Sequence, residues 1–245
     1  MSVLAAKRGM AGEALATHAM LLSAGRGERL RPLTEHTPKP LVDVGGETLI
    51  ERHLRRLGEA GISDVLVNLH HLGERIVAHV GDGARFGVRV HYAWEDTLLE
   101  TGGGIRAVLD RLGTRQFLVL SADLWTDYPL ARLRAPLPAG THARLVLVRS
   151  HLGNDFGFAA TPPPGVVSPL VEVPAEKFTY ASLGCYSPAL FDGVANGAFP
   201  LRDLLFPALR AGALCGEVFA GDWFNIGSVR ELEEVRAYVG SRTDA

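Results

Sequence analysis

Five short apolar runs recur along the chain: Ala19–Ala24, Val65–Leu69, Val88–Tyr92, Phe117–Ser121 and Leu145–Val148. They are nearly continuous in Leu and β-branched residues. Strands made from such runs must be covered on both faces, which is the condition of a mostly parallel sheet flanked by helices. Helical patterns lie between them. Thr48-Leu-Ile-Glu51 has the spacing of a capping box, with Ile50, Leu54 and Leu57 on one face and Gly61 as the stop. Ser228-Val-Arg-Glu231 repeats that spacing, and Leu232, Val235 and Val239 form the apolar stripe of a last helix expected to stop at Gly240. Strands alternating with helices predict an α/β sandwich. Residues 1–17 read as a loose extension, and 18–240 as one domain. The Pro- and loop-rich stretch 153–178, with Thr161-Pro-Pro-Pro-Gly165, reads as an excursion beside the sheet where a second ligand could be held.

Composition removes several function classes. A net charge of −2 offers no global positive field for nucleic acid. No apolar run is long enough to span a bilayer. Two cysteines, Cys185 and Cys215, make neither a disulfide framework nor a four-thiolate zinc site. The expectation is a cytoplasmic protein with reduced thiols, monomeric or a small homo-oligomer.

The first strand runs into Ser23-Ala-Gly-Arg-Gly-Glu-Arg-Leu-Arg-Pro-Leu-Thr34, followed by Pro38-Lys39-Pro40. Small residues after a strand let backbone amides approach phosphate oxygens, because no Cβ intervenes. A Walker A loop would need Lys and Ser or Thr where Glu28 and Arg29 stand. A dinucleotide fingerprint would need a third glycine at Leu30. What remains is a glycine turn carrying Arg26, Arg29, Arg31 and Lys39 against Glu28 and Glu35. A small cationic loop beside glycine amides is what a triphosphate requires for charge neutralisation; a surface turn with solvated arginines is the alternative reading.

The pattern Gly25-x-Gly27-x-Arg29-Leu30-x-Pro32-Leu33-Thr34, then Pro38-Lys39-Pro40, resembles the signature of the sugar-1-phosphate nucleotidyltransferases. The resemblance continues through Glu100-Thr-Gly-Gly-Gly104, Ala122-Asp-Leu-Trp-Thr-Asp127 and Trp223-Phe-Asn-Ile-Gly227. Leu99–Ile105, Asp123–Tyr128 and Glu28 look most like the N-acetylmuramate α-1-phosphate uridylyltransferase branch. The resemblance implies a Rossmann-like three-layer α/β/α sandwich of the nucleotide-diphospho-sugar transferase type, with a mostly parallel, mixed central sheet. It implies in-line attack of a sugar 1-phosphate, N-acetylmuramic acid α-1-phosphate in that branch, on the α-phosphorus of a nucleoside triphosphate, there UTP. Pyrophosphate leaves, with Mg2+ as cofactor. Other nucleotides and sugars remain open: guanylyl or thymidylyl transfer to mannose, heptose or glucose 1-phosphate, or a non-catalytic nucleotide-sugar sensor. A dinucleotide-dependent oxidoreductase is a more distant reading.

Through the resemblance, Arg29 and Lys39 become the phosphate-contacting catalytic cations. Ser23, Ala24, Gly25, Gly27, Thr101, Gly102, Gly103 and Ala122 become nucleotide contacts. Asp123, at the carboxyl end of a predicted strand, becomes the first magnesium ligand. The second ligand departs from the usual pattern: Asn225 stands where close relatives carry Asp. An amide oxygen is an acceptable hard ligand but carries no charge; Asp222 is the alternative donor. Asp155, Gly157, Glu172 and Gly184 fall where relatives contact the sugar, although the familiar Glu-Lys-Pro pattern is replaced by Glu172-Val173-Pro174. His70 and His71 read as strand-end histidines, because the attacking phosphate is already ionised and needs no protein base.

Overall fold

The structure, a computed structural model, describes residues 15–113, 115–150 and 152–243. Residues 1–14 of the expected extension lie outside the described residues. Ala16 and Thr17 do not behave as an extension. Ala16 is buried and its amide donates to the Arg134 carbonyl, while the Thr17 carbonyl accepts from Ser63 and Asp64.

All five expected strands form. β1 (His18–Leu22), β2 (Asp64–Leu69), β3 (Arg89–Trp94) and β4 (Phe117–Ser121) are parallel, in the order β3-β2-β1-β4. Beyond β4 the sheet becomes mixed. β9 (Glu176–Tyr186) runs antiparallel between β4 and β6 (Ala143–Val148), and β10 (Leu214–Phe219) pairs parallel with β6. The stretch expected to lie beside the sheet partly joins it: β7 (Asn154–Phe158) pairs with β9, and the two-residue β8 (Ser168–Pro169) pairs with β10. Sequence pattern did not announce β9. Its alternation is broken where the ladder to β6 slips and Ser182 takes φ 56°.

Alternation along the strands covers both faces. Ala19 and Leu21 of β1 face one core with Val65, Val67, Leu118 and Leu120, capped by α1 (Leu49–Glu59) and α2 (Gly73–Val80). Met20 faces the other core with Leu66, Val119, Leu145 and Leu147, capped by α3 (Glu100–Ala107) and α4 (Arg202–Arg210). That is the three-layer Rossmann-like arrangement. Both ends of the α1 capping box are made: Thr48 Oγ1 accepts from the Glu51 amide and Glu51 accepts from the Thr48 amide. Ile50, Leu54 and Leu57 are fully buried, each contributing roughly 1.5–3 kcal/mol.

The last helix, α5 (Val229–Thr243), runs through Gly240 instead of stopping there. A glycine inside a helix costs about 1 kcal/mol, which the anchoring of Leu232 and Val235 outweighs. At its start Glu231 accepts from the Gly227 amide and from the Ser228 hydroxyl. Leu232 and Val235 belong to a third apolar cluster with Leu30, Val42, Trp125 and Ile226. This cluster seats the glycine turn and a separate two-stranded ribbon, β5 (Leu124–Thr126) with β11 (Trp223–Asn225), on one support.

Candidate active site

Parallel pairing of β1 with β4 aligns Leu22 with Ser121, so the turns that follow emerge side by side at one rim of the sheet. The first is Ser23–Gly27. Its entry is wired from below: the Ser23 amide donates to Asn68 Oδ1 at 2.7 Å, and Asn68 Nδ2 donates to Glu95 Oε1 at 2.7 Å. The other Glu95 oxygen accepts from the Leu99 amide at 2.9 Å, joining the glycine turn to the start of α3. Gly27 has φ 64°, and a Cβ there would come within 2.9 Å of the Thr34 methyl, so glycine is required. Thr34 Oγ1 donates to the Gly27 carbonyl at 2.8 Å, closing the turn. His71 bonds the Thr34 carbonyl and His70 the Glu95 carbonyl; both histidines hold loops, as strand-end residues do.

The second turn carries Asp123. Its carboxylate receives the Lys39 ammonium at 2.5 Å on one oxygen and the Ser121 hydroxyl at 2.5 Å on the other. Burial pushes the carboxyl pKa up, but the Lys39 charge and hydrogen bond, with the Ser121 hydroxyl, outweigh it and leave the group below the ordinary carboxylate value. Pro38 and Pro40 flank Lys39, whose side chain is 13% exposed, so its aim is restricted by backbone as well as by partner. Arg29 forms no hydrogen bond or ion pair among the described residues, and its guanidinium lies against Gly227, where a Cβ would sit 2.7 Å from it. Gly227 thus lets the arginine pass close to β11.

Two adjoining cavities share Leu22, Thr101 and Ser121. One, of about 300 Å³, is lined by Ser23, Ala24, Gly25, Gly27, Lys39, Ala122 and Asp123. The other, of about 430 Å³, is lined by Asp155, Phe156, Tyr180, Arg202 and Asn225 among others. Arg29 lies with Lys39 and Gly227 along a shallow cleft beside the first.

The remaining expected residues are not brought to these cavities. The Gly102 and Gly103 amides, expected to face a nucleotide, both donate to the Phe199 carbonyl. A Cβ at Gly102 would meet the Phe199 ring at 2.3 Å, and one at Gly103 the Gly197 carbonyl at 2.1 Å. These glycines permit close packing of α3 on the 197–201 segment. Thr101 stays at the cavity wall, with its hydroxyl accepting from the Leu201 amide. Gly157 is wedged against Pro174 and the Glu176 carbonyl, and Gly184 sits inside β9 between β4 and β6. Glu172 is exposed and faces Arg210 at 3.9 Å. Asp222 is engaged by Tyr238 and Arg242 of α5, so it is not a free donor for a metal.

Asn225 stands opposite Leu124 in the ribbon, and the Ile226 amide donates to the Asp123 carbonyl, which keeps Asn225 beside the turn that carries Asp123. The Asn225 side chain has no hydrogen-bond partner among the described residues. The Asp123 carboxylate in the wall of the first cavity and the unpartnered Asn225 amide oxygen in the wall of the adjoining one are hard oxygen donors of the kind that suits magnesium, which takes few protein oxygens and keeps waters and phosphates. Lys39 occupies the place of a cation on Asp123. No cluster of three acidic, His or Cys ligands exists among the described residues. Nor is any described helix long and apolar enough to cross a membrane.

Sequence reasoning missed Asn68, Glu95 and Arg202. It also missed two non-glycine residues in left-handed backbone at the cavity walls, Glu100 at φ 58° and Ser182 at φ 56°. Backbone strain of this kind gathers at ligand sites and has no signature in residue type.

Residues 18–242 match the nucleotidyl transferase family. The chain is 38% identical over 228 residues to an N-acetylmuramate alpha-1-phosphate uridylyltransferase of Neisseria meningitidis, covering 91% of this chain and 98% of that protein. It is 31% identical over 240 residues to a glucose-1-phosphate thymidylyltransferase of Streptomyces griseus, covering 92% and 67%. A UDP-glucose pyrophosphorylase from Acinetobacter baumanii superposes with a TM-score of 0.77 at 18% identity, covering 93% of this chain and 94% of that one, which is a likeness of fold. With a glycine turn, a lysine-paired carboxylate and a bipartite cavity at the sheet rim, this chain belongs to the nucleotidyl transferase family.

Proposed function

We propose that this enzyme, a sugar-1-phosphate nucleotidyltransferase by family and relatives, transfers the uridylyl group of UTP to N-acetylmuramic acid α-1-phosphate. UDP-N-acetylmuramic acid and pyrophosphate are the products, and the reaction is placed in the cytoplasm as a step of cell-wall recycling. The observation that carries the reading is the Lys39–Asp123 pair on the wall of the smaller of two adjoining cavities, which lies beside the glycine turn while the larger reaches α4. The 38% identity to the Neisseria enzyme, nearly end to end, supports the choice of nucleotide and sugar.

The triphosphate lies on the Ser23–Gly27 turn, and the sugar occupies the cavity of Asp155 and Asn225. Two polyanions must approach, so their repulsion and the charge developing on the α-phosphate dominate the barrier. Lys39 offers a charge held on a restricted backbone. Arg29, with no acceptor among the described residues, presents its planar donor fork to phosphate oxygens. Asp123 and Asn225 would hold magnesium, which supplies further neutralisation of the phosphates. Asp123 keeps Lys39 aimed, and Ser121 keeps Asp123 oriented. The leaving pyrophosphate departs along the cleft of Arg26 and Arg29.

Pyrophosphate release is measured with each nucleoside triphosphate against a panel of sugar 1-phosphates, with magnesium and with chelator. Turnover is expected with UTP and N-acetylmuramic acid 1-phosphate and is expected to stop with chelator. Preference for guanosine or thymidine triphosphate with a hexose 1-phosphate would replace the reading by that neighbour. Absence of turnover for every pair would favour a nucleotide-sugar sensor.

A further inference from the structure

The larger cavity has two charged side chains in its wall, Asp155 and Arg202, and neither has an ion-pair or side-chain hydrogen-bond partner among the described residues. Arg202 is exposed at the first position of α4. A cation in the first turn opposes the helix macrodipole, so it gives the helix no stability there. Nor does α4 offer it an acid one turn on: positions 205 and 206 are Leu and Phe. The arginine is thus unexplained by local structure, and it stands in the wall of the cavity proposed for the sugar.

Its cavity tells which ligand group it meets. Lys39 and Asp123 line the smaller cavity and Arg202 does not. A sugar 1-phosphate that reaches Lys39 with its phosphate therefore leaves Arg202 to the sugar. A neutral sugar puts no charge there. A carboxylate on the sugar would match the guanidinium, whose planar fork donates to two oxygens at once. In the same wall the Phe156 and Phe206 rings stack at 5.6 Å and offer an apolar surface beside the guanidinium. Asp155 would repel the same carboxylate and so fixes which way round the sugar enters, accepting hydroxyl or amide hydrogens instead.

We infer that Arg202 is a specificity-determining residue that binds a carboxylate borne by the sugar of the sugar 1-phosphate. The inference rests on the proposed reaction and deepens it, since the lactyl ether of N-acetylmuramic acid is such a carboxylate.

The test compares N-acetylmuramic acid 1-phosphate with N-acetylglucosamine 1-phosphate, which lacks the lactyl group, by kcat/KM in the wild type, R202Q and R202K. The wild type prefers the acid. In R202Q the ratio of the two kcat/KM values falls by about ten-fold or more, chiefly through KM for the acid, as loss of a charge-assisted bond predicts. R202K, a point charge without the fork, restores part of the ratio. Both sugars are read on the same folded variant, so a general loss of stability cancels. A wild-type preference for the acid that R202Q retains overturns the Arg202 assignment alone. A wild type that turns over the neutral sugar as well as the acid rejects the substrate reading and this inference together.

Discussion

Asp123 accepts from Lys39 and, in the proposed reaction, would also be a metal ligand. Removing its carboxylate leaves the ammonium without its partner and the cavity without its acidic oxygen, while no core packing is lost. Asp123→Ala is expected to lower kcat by about a hundred-fold or more, with an unchanged circular dichroism spectrum. Near-normal turnover would show that the carboxylate is a bystander. Because its folded pKa is below the ordinary value, Asp123 is ionised throughout the neutral range, and its contribution to stability is lost only as pH falls through that lowered value. Asn225 is the complementary case. Asn225→Asp adds the charge that an amide lacks, and magnesium titration followed by calorimetry should give equal or tighter binding. A large loss of magnesium affinity would place the metal elsewhere.

At the scale of elements, α3 is held to the segment before α4 through glycines. The Phe199 carbonyl accepts both the Gly102 and Gly103 amides, and Cβ positions at the two residues overlap the Phe199 ring and the Gly197 backbone. Gly103→Ala is therefore the harsher change, because a carbonyl on fixed backbone cannot swing aside as a ring can. A loss of about 1–3 kcal/mol is expected from denaturant midpoints, larger for Gly103→Ala than for Gly102→Ala. The reverse order, or no loss in either, would mean the segment yields without cost. The same element explains why part of the site was misread from residue types. Glycines at a helix start are alike on paper whether their amides serve a phosphate or a neighbouring carbonyl. The glycine turn after β1 was legible because its partners are local: Gly27 is closed by Thr34, seven residues on. Glu95 and Asn68 were not, since each reaches the site only after β1, β2 and β3 are paired.

For the molecule as a whole, the ribbon that carries Asn225 is fastened to the main body through α1. Arg56 donates to the Thr126 and Tyr128 carbonyls, and Arg52 donates to Thr126 and stacks over the Trp125 ring. His53 lies buried between them, with neither ring nitrogen reaching a hydrogen-bond partner among the described residues. Burial, and then the Arg56 charge, push its pKa down to about 4. A histidine with a folded pKa below its unfolded value contributes its stability in full above the unfolded value, about 6.5, and loses it as pH falls toward the folded one. Stability is expected to decline from pH 6.5 to 4, and Tm measured across that range should fall less in His53→Leu than in the wild type. Parallel pH profiles would remove His53 from the acid response.

The sequence by itself determined the layered α/β architecture, the glycine turn and both helix caps. Each of these is written in short-range pattern: apolar continuity, a three-residue capping interval, a turn and its basic followers. Tertiary structure alone decided that β9 enters the sheet antiparallel, that Gly102 and Gly103 serve packing, that Asp222 is taken by α5, and that Arg202 joins the wall of the second cavity. Those outcomes depend on which distant groups arrive first at a given hydrogen-bonding or charged atom, and that competition is settled by chain closure over tens of residues or more, beyond the reach of local periodicity.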